Sequence, residues 1–227
     1  MDIKLIALDV DGTIAEPGEP VKIEIAEKLR NFEARGIKIA LLSGKNTSYL
    51  SGLARGMGIK EPLIIGENGC IIFYPAEMRE IRLEERSPEI SIIESKVLTN
   101  FTNSIWLQPN QVELTIFPRD KNALPTIISF INRIIQSFNK KVIVFEHIDA
   151  IDILPFGLDK GKALAKIKEV HNIKRDEIIA VGDSSNDIPM FREAVLSIII
   201  GNKIIHTNGA KKFQTISEAL VFLEKSI

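Results

Sequence analysis

The 227-residue sequence has little cysteine, few aromatic side chains and almost no net charge. Its single cysteine, Cys70, excludes an internal disulfide and a metal site built from several thiolates. A formal net charge of −1 excludes the global positive field that attracts nucleic acid or an anionic membrane. Any site for an anion must therefore be local, and no nucleic-acid partner is expected.

Long apolar runs and nucleotide-binding loops are also missing. No stretch approaches the roughly 18 apolar residues of a membrane span, and no basic segment followed by a long apolar one opens the chain. We therefore expect a cytoplasmic protein without a membrane partner. Neither G-x-x-x-x-G-K-[ST] nor G-x-G-x-x-G occurs, which excludes the common nucleotide loops. The sequence gives no indication of oligomeric state.

Strand and helix patterns alternate at both ends of the chain. Nearly continuous apolar runs at 3–8, 37–42 and 63–65 are separated by helical patterns, and further runs occupy 178–181 and 196–200. This order predicts an α/β fold, a doubly wound, mostly parallel Rossmann-like sheet. With 45% apolar residues, the chain can bury a sizeable core.

The middle of the chain has a different order of predicted helices and strands. Between residues 78 and 155 the pattern reads helix, strand, strand, helix, strand, strand. An antiparallel sheet with helices on one face would bury such a segment. We predict an α/β core domain of residues 1–77 and 156–227, and an inserted α+β (αββαββ) domain of residues 78–155.

Four clusters of polar residues stand out, and three of them follow directly after an apolar strand. Their members are Asp9, Asp11 and Thr13; Ser43 and Gly44; Lys160; and Asp183, Asn186 and Asp187. Because the carboxyl ends of parallel strands meet at one edge of a sheet, ligands bind in the crevice there. The topology therefore predicts that these distant residues converge.

The residue types in these clusters suit phosphoryl transfer. Several carboxylates with water suit Mg²⁺, whereas the lack of a His or Cys cluster argues against zinc. Hydroxyls, backbone N–H groups and a lysine at a helix start can bind phosphate oxygens. Each residue also has an ordinary structural interpretation. Ser43 could cap a helix, Lys160 could be a solvated lysine, and Asp183 and Asp187 could form a turn and a helix cap.

The set of motifs resembles the haloacid dehalogenase-like phosphatases with a type II (Cof-like) cap. The resemblance covers the whole chain in order, and its length and cap are most similar to the archaeal phosphoglycolate phosphatases. Four segments carry it: Asp9-Val10-Asp11-Gly12-Thr13, Leu42-Ser43-Gly44, Lys160, and Gly182-Asp183-Ser184-Ser185-Asn186-Asp187.

The resemblance implies a Mg²⁺-dependent phosphomonoester hydrolase that acts through an aspartyl phosphate. Asp9 would be the nucleophile, and Asp11 the acid that protonates the leaving group and then the base that activates water. The remaining roles concern the metal and the phosphate. Mg²⁺ would be held by Asp9, the Asp11 backbone and Asp183, with Asp187 behind them; the phosphate would be bound or supported by Thr13, Ser43, Gly44, Lys160 and Asn186.

The substrate expected from this resemblance is a small phosphorylated metabolite, with 2-phosphoglycolate first. The alternatives are a sugar-phosphate phosphatase of the mannosyl-3-phosphoglycerate or sucrose-phosphate type, then a phosphomutase, then a non-catalytic binding module. Arg119, His147 and Glu113 are candidates for selecting the substrate from the cap. Lys45 stands where the phosphoglycolate phosphatases often have Asn, so it either favours a more acidic substrate or points away.

Overall fold

The computed structural model describes residues 2–138, 141–202, 207 and 209–227. Before the insertion the chain forms β1 (Leu5–Asp9), α1 (Ile23–Ala34), β2 (Lys38–Leu42), α2 (Thr47–Gly56), β3 (Leu63–Gly66), β4 (Ile71–Tyr74) and β5 (Arg79–Arg82). The insertion, called the cap below, forms α3 (Pro88–Phe101), β6 (Ile105–Leu107), β7 (Leu114–Pro118), α4 (Leu124–Ile135), β8 (Val142–Glu146) and β9 (Ile151–Pro155). The rest forms α5 (Lys160–His171), β10 (Ile178–Gly182), α6 (Ile188–Arg192), β11 (Leu196–Ile200), β12 (Lys211–Phe213) and α7 (Ile216–Ser226).

The core is built on an eight-stranded sheet in the order β12-β11-β10-β1-β2-β3-β4-β5. The strands from β12 to β3 are parallel; β4 pairs antiparallel with β3, and β5 pairs antiparallel with β4. The central strand β1 pairs with β10 on one side and β2 on the other. Since Leu8 aligns with Val181 and Asp9 with Leu42, the polar residues after all three strands lie at one edge. The doubly wound fold and the predicted neighbours are confirmed.

Both faces of this sheet are covered because both sets of alternating side chains are apolar. Ile6 and Leu8 of β1 pack into the cluster formed with α1, α2 and α7. Leu5 and Ala7 face the other way and pack with α5 and α6. The five residues of β1 are all buried, so its carboxyl end is firmly held.

The cap is a four-stranded antiparallel sheet in the order β6-β7-β9-β8, with α3 and α4 on one face. Leu114 and Ile116 of β7 point into the apolar cluster with these helices. Successive strand residues point to opposite faces, so Thr115 and Phe117 point the other way, into a cavity shared with the core. The αββαββ prediction is confirmed, and the strand alternation decides which cap residues face the core.

The β3–β4 connection contains the Asn-Gly pair that predicts a reversal of the chain. A short 3₁₀ turn, Glu67–Gly69, joins the two strands, which pair antiparallel as expected. Asn68 is held in the left-handed region at φ 52°. The free thiol of Cys70, directly after this turn, is buried as a small core residue.

Two strands of the large sheet were absent from the sequence prediction. β5 has the sequence Arg-Glu-Ile-Arg and β12 has Lys-Lys-Phe, and both are sheet edges with few apolar residues. Because β5 pairs with β4, the large sheet continues to Arg82. We therefore propose that the division between core and cap lies between Arg82 and Pro88, not at residues 77/78. Within the described residues, no helix combines the length and the apolar content needed to cross a membrane.

Candidate active site

Asp9 ends the central strand β1, and its side chain is buried among donors and other acids. Thr13 Oγ1 donates to Asp9 Oδ2 at 3.0 Å, and Lys160 Nζ donates to Asp9 Oδ1 at 2.5 Å. Burial raises the pKa of Asp9 to about 7; Lys160 opposes this rise, while the charges of Asp187 and Asp183 add to it. Additional positive charge at this position would therefore favour the ionised, nucleophilic form of Asp9.

Lys160 is the first residue of α5 and is only 2% exposed. Besides its bond to Asp9, its ammonium donates to Asp187 Oδ1 at 2.7 Å. Burial by itself lowers the pKa of Lys160, but the charges of Asp187 and Asp9 outweigh burial and raise it. The interpretation of Lys160 as a solvated surface lysine is therefore wrong, because the side chain is a buried cation between two carboxylates.

Asp187 is fully buried and organises the loop after β10. Its Oδ2 accepts the backbone N–H of Asp183 at 3.0 Å and that of Ser184 at 3.1 Å. A Cβ at Gly182 would lie 2.5 Å from the same oxygen, so only glycine fits beside it. With Oδ1 bound to Lys160, Asp187 fixes both the loop and the lysine instead of only capping the following helix.

The three acids Asp9, Asp183 and Asp187 form a group that could hold a metal ion. One carboxylate oxygen of each lies within 4.8 Å of the others, and all three residues are buried. The turn at Gly12, with φ +85°, approaches Asp183 so closely that a Cβ there would lie 2.6 Å from Asp183 Oδ2. Two of these carboxylates, those of Asp9 and Asp187, share the ammonium of Lys160. In the described part of the chain, this donor set suits a hard divalent cation such as Mg²⁺.

Asp11 is placed differently from Asp9. Its carboxylate lies outside the group of three acids, is 31% exposed, and faces Lys45 Nζ at 3.6 Å. The two aspartates of the first turn therefore occupy different environments: Asp9 is buried within the candidate metal site, and Asp11 is open to the cavity.

Ser43 directly follows β2 and is 3% exposed. Its Oγ accepts the backbone N–H of Lys45 at 3.2 Å. The cap of α2 is Asn46, whose Oδ1 accepts the N–H of Tyr49 at 2.8 Å. Ser43 therefore does not serve as the helix cap.

The structure brings most of the predicted site residues together around one cavity of about 730 Å³. The cavity is lined by seven of them: Asp9, Asp11, Ser43, Gly44, Lys160, Asp183 and Asn186. Asn186 also accepts a hydrogen bond from Ser184 Oγ. The other two, Thr13 and Asp187, act through their bonds to Asp9 and Lys160.

The opposite wall of the cavity belongs to the cap. Its residues are mostly polar or aromatic and come from β7, β8, β9 and the segments beside them: Gln108, Thr115, Phe117, Phe145, Glu146, His147, Ile148, Asp149, Ala150 and Asp152. Of the three cap candidates, His147 lines the cavity. Arg119 is exposed and lies outside the cavity lining, and Glu113 is fully buried behind Asp152.

A cluster of polar residues joins the cap to the core turn, and only two of its members, Glu113 and His147, were named as candidates from the sequence. Asn68 Nδ2 donates to Glu113 Oε1 and to Asp152 Oδ2, each at 2.8 Å. Asp152 Oδ2 also lies 2.9 Å from His147 Nε2, and this hydrogen bond raises the pKa of His147. Burial, reinforced by the charge of Asp152, raises the pKa of Glu113 well above its usual value. The alternation along β7 and β9 places these acids on the face opposite the apolar cluster, but it does not show that this face meets the core.

Glu67 makes a second connection between core and cap. Its fully buried carboxylate accepts three consecutive backbone N–H groups of the cap, from Gln111, Val112 and Glu113, at 2.8 to 3.0 Å. Hydrogen bonds to a carboxylate are stronger than those between neutral groups. The segment leading into β7 is therefore fixed to the core turn.

Comparison with solved structures defines the class of this fold. A haloacid dehalogenase-like hydrolase from Bacteroides thetaiotaomicron superposes with a TM-score of 0.80 at 20% identity, covering 97% of this chain and 99% of that one. The model of the family described as sucrose-6F-phosphate phosphohydrolase matches residues 3–219. The chain therefore belongs to this family of haloacid dehalogenase-like phosphatases, as the resemblance of its motifs indicated.

Two archaeal relatives carry a more specific name. A phosphoglycolate phosphatase from Thermoplasma acidophilum is 30% identical over 199 residues, covering 84% of this chain and 81% of the relative. A phosphoglycolate phosphatase from Thermoplasma volcanium is 29% identical over 220 residues, covering 93% of this chain and 91% of the relative. The protein is thus a phosphatase with relatives of nearly its own length.

Proposed function

We propose that the protein hydrolyses phosphomonoesters in a Mg²⁺-dependent reaction with Asp9 as the nucleophile. The observation that carries this proposal is the position of Asp9. It ends the central strand, is hydrogen-bonded to Lys160, and lies beside Asp183 in the cavity. Mg²⁺ bound by these carboxylates would offset the repulsion between Asp9 and the phosphate dianion.

In the first step an Asp9 oxygen bonds to phosphorus and the ester P–O bond breaks. Asp11, open to the cavity, gives its proton to the departing alkoxide. In the second step water attacks the aspartyl phosphate, Asp11 takes a proton from that water, and phosphate leaves with Asp9 restored. Lys160 holds Asp9 in place throughout, as its hydrogen bond indicates.

The phosphate oxygens require donors around Asp9. Ser43 and Gly44 follow β2 at the same edge and line the cavity, so the hydroxyl and the backbone N–H groups of this turn are available. Asn186 lines the cavity from the loop after β10. Thr13 orients Asp9 by donating to Oδ2. These positions support the phosphate-binding roles that the resemblance implies.

We propose 2-phosphoglycolate as the substrate, supported by the printed names of the two archaeal relatives. A second candidate is a sugar phosphate. The cavity of about 730 Å³ lies in the range that holds drug-sized ligands. The cap wall offers Gln108, Asp152 and Phe117, which suit hydroxyl groups and an apolar sugar face. The description of the matching family points in the same direction.

The test is phosphate release from a panel of esters containing 2-phosphoglycolate, sucrose 6-phosphate and mannosyl-3-phosphoglycerate. We expect release in Mg²⁺ and its loss in EDTA, with restoration when Mg²⁺ is added back. Equal activity in EDTA would contradict the metal dependence. Formation of an isomeric phosphate ester would favour a phosphomutase, and no reaction with any ester would favour a binding module.

A further inference from the structure

Lys45 lies between the catalytic turn and the cap. Its Nζ is 3.6 Å from Asp11 Oδ2 and 5.6 Å from the centre of the Phe117 ring in the cap. The backbone of Lys45 is fixed, because its N–H donates to Ser43 Oγ and its carbonyl accepts the N–H of Glu67. The side chain lines the cavity and is 30% exposed. Lys45 therefore points into the site.

The ammonium of Lys45 retains its donors for a ligand. At 3.6 Å the contact with Asp11 is longer than a hydrogen bond, and the described residues provide no acceptor for a hydrogen bond from Lys45 Nζ. The other lysine of the cavity, Lys160, is buried and bound to Asp9 and Asp187. Lys45 is thus the lysine of the described cavity wall whose charge is accessible to a substrate.

The cap wall is unfavourable for an anion. Glu146, Asp149 and Asp152 all line it, and the imidazole of His147 is paired with Asp152. A carboxylate on the substrate would meet three acids on that side, whereas the core side offers Lys45. The charges of the cavity therefore favour an anionic leaving group that stays beside the core.

We propose that Lys45 binds the carboxylate of the leaving group and selects phosphate esters of 2-hydroxy acids. This inference rests on the proposed function, because the position of the leaving group is defined by Asp11 as its acid. By standard bond lengths, the ester oxygen and the carboxylate oxygens of such a substrate are within about 4 Å. An ester oxygen hydrogen-bonded to Asp11 places that carboxylate within reach of an ammonium 3.6 Å from Asp11.

The experiment compares three phosphate esters whose leaving groups carry a carboxylate near the ester oxygen, a carboxylate farther away, or no charge. The three substrates are 2-phosphoglycolate, 3-phosphoglycerate, whose carboxylate is farther from the ester oxygen, and 2-hydroxyethyl phosphate, which has a neutral hydroxyl. In the full-length protein with Mg²⁺, we expect Lys45→Met to raise the KM for 2-phosphoglycolate by about 10- to 100-fold, as for a lost hydrogen bond to a charged group. The KM for 2-hydroxyethyl phosphate should change less than about threefold, and 3-phosphoglycerate should lie between them.

Two variants serve as controls. Lys45→Arg keeps the positive charge and should recover much of the preference for 2-phosphoglycolate. Lys60→Met removes an exposed lysine outside the cavity lining and should leave all three KM values unchanged. Activity of Lys45→Met on the neutral ester shows that the variant is folded and that its phosphate site is intact.

Three other results would each contradict a specific part of the proposal. Equal losses of kcat on all three esters would show that Lys45 acts only through Asp11, and would overturn its role in selection. Hydrolysis of the neutral ester by the unmodified protein without hydrolysis of 2-phosphoglycolate would overturn the inference while leaving a phosphatase. Failure to release phosphate from any ester would contradict the proposed function itself.

Discussion

The core side of the cavity and the cap side treat buried charge in opposite ways. On the core side each carboxylate oxygen of Asp9 and Asp187 meets a donor, and Lys160 lies between the two acids. On the cap side Glu113 is also fully buried, yet no donor among the described residues reaches its Oε2. Its neighbour Asp152 is another acid. Burial, reinforced by the charge of Asp152, raises the pKa of Glu113.

This difference separates two uses of buried acids. In the core, Lys160 and N–H groups hydrogen-bond the carboxylates of Asp9 and Asp187, and a bound cation would favour the ionised form of Asp9. Glu113 avoids an uncompensated charge by keeping its proton, and Asn68 then holds it and Asp152 as hydrogen-bonding groups. This contrast supports our proposal that the phosphate chemistry is located in the core and that the leaving group is recognised between the two sides.

The largest effect is expected from a substitution of Asp9, and it tests whether the core side carries the phosphate chemistry. Asp9→Asn keeps the size of the side chain but removes the proposed nucleophile, and phosphate release should fall by roughly 10⁴-fold or more. The measurement is the initial rate of phosphate release in Mg²⁺. Asp120→Asn, at an exposed position of the cap, should keep the rate of the unmodified protein. Turnover by Asp9→Asn near that rate would exclude Asp9 as the nucleophile.

A smaller but still large effect is expected from Lys160→Met. The substitution leaves Asp9 and Asp187 buried without their shared cation, and the free energy of unfolding in EDTA should fall by about 3–5 kcal/mol. Urea denaturation measures this change. Adding Asp187→Asn to the same variant should recover part of the loss.

The control for the lysine substitution is on the same helix. Lys162→Met removes an exposed lysine of α5 and should change the free energy of unfolding by less than about 0.5 kcal/mol. If Lys160→Met and Lys162→Met had the same stability, the buried charges of the core would not depend on Lys160.

The smallest effect is expected on the cap side, with Glu113→Gln. Because the pKa of Glu113 in the folded protein lies above its usual 4.5, the folded protein keeps a proton that the unfolded chain has released. Stability from this group is therefore full below pH 4.5 and decreases as the pH rises towards the folded pKa. The glutamine amide keeps a donor for Asp152 at every pH. At pH 8 the variant should be more stable than the unmodified protein by about 1–3 kcal/mol.

Urea denaturation at a series of pH values from 5 to 8 checks this expectation for Glu113→Gln. The slope of stability against pH should be shallower in the variant. Glu84→Gln, at an exposed position, should keep the slope of the unmodified protein. An unchanged slope in Glu113→Gln would show that Glu113 is ionised in the folded protein at these pH values.

The core edge could be predicted from the sequence because its signals are local and its topology is restricted. An apolar run that ends on Asp9, and another that ends before Asp183, both indicate buried parallel strands with polar ends. The rule that such ends converge then needs no further information. The edge strands β5 and β12 were not predicted from the sequence. Each has mostly charged residues and one exposed side, so neither shows an apolar run.

The cap wall could not be predicted in the same way. Thr115 and Asp152 alternate with apolar residues, and this pattern is also typical of a strand with one face in solvent. Only the docking of the cap on the core turn distinguishes the two cases. The pairing of Asn68 with Glu113 and Asp152 spans 45 and 84 positions of the chain, and no local pattern encodes it.

The contact of Glu67 with three consecutive cap amides has a mechanical consequence. Its carboxylate fixes the chain at Gln111, Val112 and Glu113 by three hydrogen bonds. In the described residues, Asp152 and Gln108 are each joined to the core by one hydrogen bond, to Asn68 and Gly44. We expect a motion of the cap that preserves the three bonds of Glu67 to turn about this point. The far end of the cavity wall, at His147 to Asp149, would then travel farthest, as the free end of a lever does. Substrate exchange would then involve a rotation of the cap about the segment that Glu67 holds.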